Sequence, residues 1–141
     1  MVDEPEFERW RTEAGRALES ARLQVDAGLH NWACFLAEQA AQLAVKAFLH
    51  GVGQAPWGHD LVVLGRAFAL VMAEGWPPDS DQPLARLSRH YIPARYPDAH
   101  PSGPAGDHYR REDADEAIVD ASRIIDLVDR SWHDVCREAR G

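Results

Sequence analysis

Apolar residues recur at three- and four-residue steps along most of the chain, the spacing that places them on one face of an α-helix. Phe7, Trp10, Ala14, Ala17, Ala21 and Val25 form the first such stripe. Pro5 suits its first turn, and Gly28 marks its end. A second helix is predicted from about His30 to His50, with Trp32, Phe35, Leu36, Ala40, Leu43, Ala44 and Ala47 on its apolar face. Its many alanines permit close approach of a neighbour, and the stretch from Gly51 to Pro56 ends it. A third begins near His59 and Asp60, at its cap, and carries Leu61, Leu64, Phe68 and Val71 until Gly75-Trp76-Pro77-Pro78 stops it. A shorter helix follows, capped by Asp79 or Ser80, with Leu84, Leu87 and Tyr91 turned inward and Pro93 breaking it. The last stripe is Ala117, Ala121, Ile124, Val128, Trp132 and Val135. Glu112, Asp113, Asp115 and Glu116 sit in its first turns, where the helix dipole favours anions, and Arg137 and Arg140 lie at the other end.

No segment alternates with a period of two, and there is no hairpin signal or internal repeat. The pattern predicts an all-α fold: an antiparallel four-helix up-and-down bundle with one additional short helix. A single domain is expected over residues 1–141, with a core from about 5 to 138 and a loop over 93–110. Four prolines and two glycines between Pro93 and Asp107 give that loop its character.

Composition narrows the class. Hydrophobic residues make up 45% of the 141, enough for one packed core. No apolar run reaches ~18 residues, so no membrane span is expected. The N-terminus, Met1-Val2-Asp3-Glu4-Pro5-Glu6, is acidic and lacks the apolar stretch of a signal peptide. Cys34 and Cys136 have no C-x-x-C spacing and read as buried free thiols of a cytoplasmic protein. The net charge of -8 argues against accumulation along a polyanion by bulk electrostatics, so nucleic-acid contact requires a local basic patch. Arg86, Arg89, His90, Arg95, His100, His108, Arg110 and Arg111 supply one, with Asp98 and Asp107 as the acids within it.

Four motifs stand in order along the chain. The second helix contains Gln39-Ala40 and, further on, Lys46-Ala47; Gly58-His59-Asp60-Leu61 follows; then Tyr91-Ile92-Pro93-Ala94-Arg95-Tyr96-Pro97-Asp98; and Tyr109 precedes the last helix. With these motifs the sequence resembles the HEPN domain family over about residues 7–135, specifically the subgroup with an Arg-Tyr-Pro-Asp loop. Gln42 departs from the glutamate often found there. The resemblance implies a helical bundle forming a homodimer, often paired with a minimal nucleotidyltransferase as a toxin–antitoxin system. Some relatives bind nucleotides without cleaving RNA. RNase relatives use an arginine and a histidine separated by four to six residues. There the histidine serves as acid or base toward the ribose 2′-hydroxyl and the leaving oxygen, and the arginine holds the phosphate, with no cofactor or metal.

Arg95 and His100 match that spacing and are the candidate catalytic pair. The alternative is that Arg95 binds a phosphate or an acidic partner while His100 is solvated. The nuclease pattern commonly places a tyrosine two residues after the histidine, where this chain has Ser102. Lys46, His59, Asp60, Arg89, Tyr91, Arg95, Tyr96 and Asp98 are the candidate ligand- and phosphate-binding residues. Lys46 also reads as a lysine snorkelling from a solvated face, and His59 and Asp60 as helix caps. Arg86 and Arg89 extend a phosphate site or are surface charge. Trp10, Trp32 and Trp132 are core or interface candidates; Trp57 and Trp76 are stacking surfaces or pack over helix ends. His90, His100 and His108 lack ligand-like spacing, so no metal site is expected. Three functional readings follow: a nucleotide- or RNA-phosphate-binding protein with a nucleotidyltransferase partner, a metal-independent endoribonuclease, and a non-catalytic helical adaptor.

Overall fold

A computed structural model describes residues 1–72 and 75–141. Five α-helices make up the described chain: α1 (Glu4–Asp26), α2 (His30–Gly51), α3 (Leu61–Val71), α4 (Asp81–Ser88) and α5 (Arg111–Arg140). The fold is all-α, with no strand among the described residues. No described helix is long and apolar enough to cross a membrane.

Helix α2 is the axis of the molecule, packed against α1, α5, α3 and α4. Its alanines explain how one helix takes so many neighbours: Ala33, Ala37, Ala40, Ala41, Ala44 and Ala47 are all fully buried. A methyl side chain there lets the facing backbones approach closely without losing helix propensity. At its C-terminal end Gly51 performs the same service. A Cβ on Gly51 falls 2.5 Å from the indole of Trp132. That space admits the stack of Trp132 on Phe7, with ring centroids 4.2 Å apart.

The long stripe of α5 closes the core with Ala117, Ala121, Ile124 and Val128, all buried. Asp60 caps α3, accepting the amides of Val62 at 3.0 Å and Val63 at 3.3 Å. Asp3 does the same for α1 through the amide of Glu6.

The proline-rich loop between α4 and α5 is fixed by specific contacts. It contains two short 3₁₀ turns, Pro97–Ala99 and Ala105–His108. The buried amide of Asn31, at the start of α2, donates to the carbonyl of Ala94 at 2.9 Å. His100 Nε2 donates to the carbonyl of Pro93 at 2.7 Å. Its ring lies flat on that of His108, centroids 4.2 Å apart, and His108 donates to the carbonyl of Ser102. Backbone groups orphaned by the prolines thus find side-chain partners.

Candidate functional site

Three arginines of this chain are half-buried: Arg11, Arg86 and Arg95. Two of them are bidentate to aspartates. Arg11 holds Asp129 at 2.7 and 2.9 Å, and Arg86 holds the buried Asp120 through two bonds of 2.8 Å. Arg95 forms no ion pair among the described residues. Its guanidinium carbon instead lies 4.5 Å from the ring centre of Phe35, 4.5 Å from Tyr91 and 5.0 Å from Tyr96. Its Nε donates to the carbonyl of Tyr91 at 2.8 Å. Aromatic faces attract a cation and here fix its plane, while the two terminal nitrogens keep their donors for an incoming group.

The aromatic surface extends beyond Arg95. Trp32 meets Phe35 edge-on, and His59 lies nearly parallel to Tyr91 with centroids 5.5 Å apart. Trp32 is 42% exposed and Tyr96 47% exposed, so both offer open ring surface. His59, Asp60, Ser88, Tyr91, Ile92 and Pro93 line a shallow recess of about 370 Å³ beside them.

Beneath this surface runs a polar stripe on α2. Glu38, Gln42 and Lys46 follow each other at four-residue steps and share one face. Glu38 is completely buried, Gln42 is 2% exposed and Lys46 is 9% exposed. Gln39 Nε2 donates to one Glu38 oxygen at 2.9 Å, and Gln42 Nε2 donates to the other at 2.6 Å. Gln42 also donates to the carbonyl of His59 at 2.9 Å, so the Gly58–Leu61 turn is clasped to α2. Desolvation pushes the Glu38 carboxyl up to about 7, against the opposing pull of the Gln42 and Gln39 amides and of the charges on Arg95 and Lys46. Lys46, the chain's single lysine, is lowered by its own desolvation and partly restored by Glu38. No carboxylate pairs with it within 4.0 Å among the described residues.

The remaining candidates separate into groups. Asp60 is occupied as the α3 cap, and Asp98 and Arg89 are exposed. Arg95 and His100 share no contact partner: the arginine faces Phe35, Tyr91 and Tyr96, and the histidine faces Pro93, His108 and Tyr109. Arg86 is committed to Asp120 and does not extend the site. Trp57 stands 89% exposed and covers no helix end, whereas Trp76 packs edge-on to Phe68 and donates to Asp81. No group of three or more metal-ligating side chains occurs among the described residues.

Glu38 goes unmarked in the sequence because a glutamate in a long helix normally lies on its solvated side. The available signal is its four-residue spacing from Gln42 and Lys46, in a helix otherwise almost free of charge. The acid expected at position 42 stands one turn earlier.

A larger groove of about 750 Å³ runs between the Trp76-Pro77-Pro78 connection and α5. Two of its carboxylates are taken by guanidinium groups, Asp129 by Arg11 and Asp134 by Arg137, and it offers no stacked aromatic cradle for a cation like that around Arg95.

A buried acid and lysine share one face of the central helix, and an arginine held by aromatic rings lies beside Tyr91, in a small α-helical domain. The HEPN domain profile matches residues 7–131, and the chain belongs to the HEPN domain family. Among solved structures it is similar to a protein of Thermus thermophilus, with 37% identity and a TM-score of 0.82 over 89% of this chain and 97% of that one. It is also similar to an archaeal HEPN homologue, with 36% identity and a TM-score of 0.72 over 87% and 94%. A HEPN domain protein from Thermotoga maritima is 26% identical, with a TM-score of 0.71 over 89% and 98%. No curated protein matches the sequence.

Proposed function

We propose that this chain binds the phosphate of a nucleotide or RNA, with the terminal nitrogens of Arg95 and the ammonium of Lys46 as its cationic grip. The observation that carries this reading is Arg95 itself, the one half-buried arginine left without a carboxylate among the described residues. A guanidinium so oriented suits the fork geometry of a phosphate. The exposed rings of Tyr96 and Trp32 suit a stacked base. Within the same reading the protein acts as a homodimer with a minimal nucleotidyltransferase partner, as in two-gene toxin–antitoxin systems. Mixing the two purified proteins and sizing the product tests that part.

Binding is favoured over endoribonuclease activity because His100 already spends one ring nitrogen on Pro93 and one face on His108. Calorimetric titration with ATP and with a short oligoadenylate tests the binding. Arg95→Ala is expected to weaken it by about 1.5–3 kcal/mol, roughly tenfold to hundredfold, the value of a charge-assisted hydrogen-bond pair. Unchanged affinity in Arg95→Ala would sink the assignment. RNA cleavage in EDTA that disappears in His100→Ala would instead establish the nuclease.

A further inference from the structure

Glu38 is a carboxyl wholly withdrawn from solvent and outside any ion pair among the described residues. Both oxygens are taken by side-chain amides, and no guanidinium or ammonium of those residues lies within 4.0 Å. A buried carboxylate ordinarily acquires a cation partner or gives up its charge. Here it does neither fully: two cations, Lys46 from its own helix and Arg95 from the turn after α4, act on it across a gap. Two further titratable rings reach it only through intermediaries. His59, on the α2–α3 connection, faces Gln42, and Tyr91 stacks on His59. The chain of contacts is continuous: Glu38 holds Gln42, Gln42 holds His59, His59 lies on Tyr91, and the Tyr91 carbonyl holds Arg95 Nε.

We propose that Glu38 is the positioning residue of the Arg95 site and couples phosphate binding to proton uptake. This rests on the phosphate-binding reading given above. A phosphate held by Arg95 neutralises the stronger of the two charges that favour the Glu38 carboxylate and adds a negative charge of its own. Both changes stabilise the neutral acid. The proton comes from the buffer acid, whose bond to hydrogen breaks to leave its conjugate base as one O–H bond forms on Glu38; no other covalent bond changes. Gln39, half-buried and held only through its amide, turns its carbonyl to accept the new donor, and the Gln42–His59 clasp is kept. Without a phosphate the acid already stands near its midpoint at neutral pH, so a modest change in its surroundings transfers a substantial fraction of a proton.

The test is isothermal titration of ATP and of a short oligoadenylate without terminal phosphates into parent and Glu38→Gln. Each is run in two buffers of different ionisation enthalpy just above neutral pH. The variant subtracts any proton taken up by the probe itself. A tenfold rise in the proton affinity of Glu38 on binding gives about half a proton more uptake by the parent than by the variant. It also makes the parent's Kd rise up to about tenfold more than the variant's as pH is raised through and beyond neutrality. Equal proton counts with parallel pH profiles overturn the coupling while leaving phosphate binding intact. Failure of the parent to bind either probe is a different result and removes the underlying reading as well. Should Glu38→Gln fail to fold, the Cδ resonance of Glu38 in ¹³C-glutamate-labelled parent answers the same question. Its titration midpoint is expected to move upward when probe is added, and an unmoved midpoint overturns the proposal.

Discussion

Replacing Glu38 by glutamine should make the protein's stability less sensitive to pH in a predictable direction. In the unfolded chain the Glu38 carboxyl titrates at its ordinary 4.5; in the folded protein desolvation raises it to about 7. The folded state therefore binds the proton more tightly, and between these values it holds a proton that the unfolded chain has released. The associated stability is present in full below about pH 4.5 and is lost as pH rises through about 7. At about 1.4 kcal/mol for each tenfold difference in proton affinity, the loss amounts to roughly 3 kcal/mol. Glutamine has the same shape, carries no charge and keeps an acceptor for the Gln42 amide. Other carboxylates titrate alike in the two proteins, so the difference between their melting curves isolates position 38. In a domain of this size the Tm of Glu38→Gln minus that of the parent should grow by roughly 10 °C between about pH 5 and pH 8.5. Differential scanning calorimetry across that range measures it. Parallel Tm-against-pH curves would refute the reasoning, because they would mean that the charged carboxylate costs nothing where it lies.

Other consequences are simpler. Gly51→Ala places a methyl against the Trp132 indole and should cost about 1–3 kcal/mol with loss of near-ultraviolet dichroism from the Phe7–Trp132 stack. Arg86→Ala strands the buried Asp120 and should lower Tm clearly more than removal of the exposed Arg9 by Arg9→Ala, whose half-buried partner Glu6 keeps the Trp10 indole as a donor. The Cys34 thiol, fully buried and pushed up to about 12 chiefly by desolvation, should resist a thiol-specific reagent at mildly alkaline pH until denaturant is added. His100→Ala removes the bond to Pro93 and the His108 stack and should cost about 1 kcal/mol, read from urea unfolding.

Periodicity is enough to place the helices because each has one covered side. Phe7, Ala14, Ala21 and Val25 of the α1 stripe and Ala117, Ala121, Ile124 and Val128 of the α5 stripe are buried, Trp10, Ala17, Trp132 and Val135 only half-buried, and Asp60 is a cap, as its position before an apolar run predicts. The candidate site is legible where local chemistry announces it: Arg95 beside Tyr91 and Tyr96, and His59 before a helix. It is illegible where a residue's meaning depends on what covers it. Lys46 reads as a solvated position, and Glu38 goes unmarked, because the spacing of the polar stripe on α2 does not say which neighbour closes over it. Arg86 reads as a free cation because its partner Asp120 is 34 residues away. The proline-rich segment reads as an open loop, yet Asn31, 63 residues before Ala94, holds it to the core.

The central claim is that a phosphate-bearing ligand is gripped at Arg95. The most direct measurement is a ¹H–¹⁵N correlation spectrum of the protein titrated with oligoadenylate. Shifts confined to the Trp32 indole, the turn around His59 and the stretch from Tyr91 to Asp98 are the expected result. Shifts centred on the Trp76 indole and the α5 groove, with the Arg95 region unmoved, would contradict it.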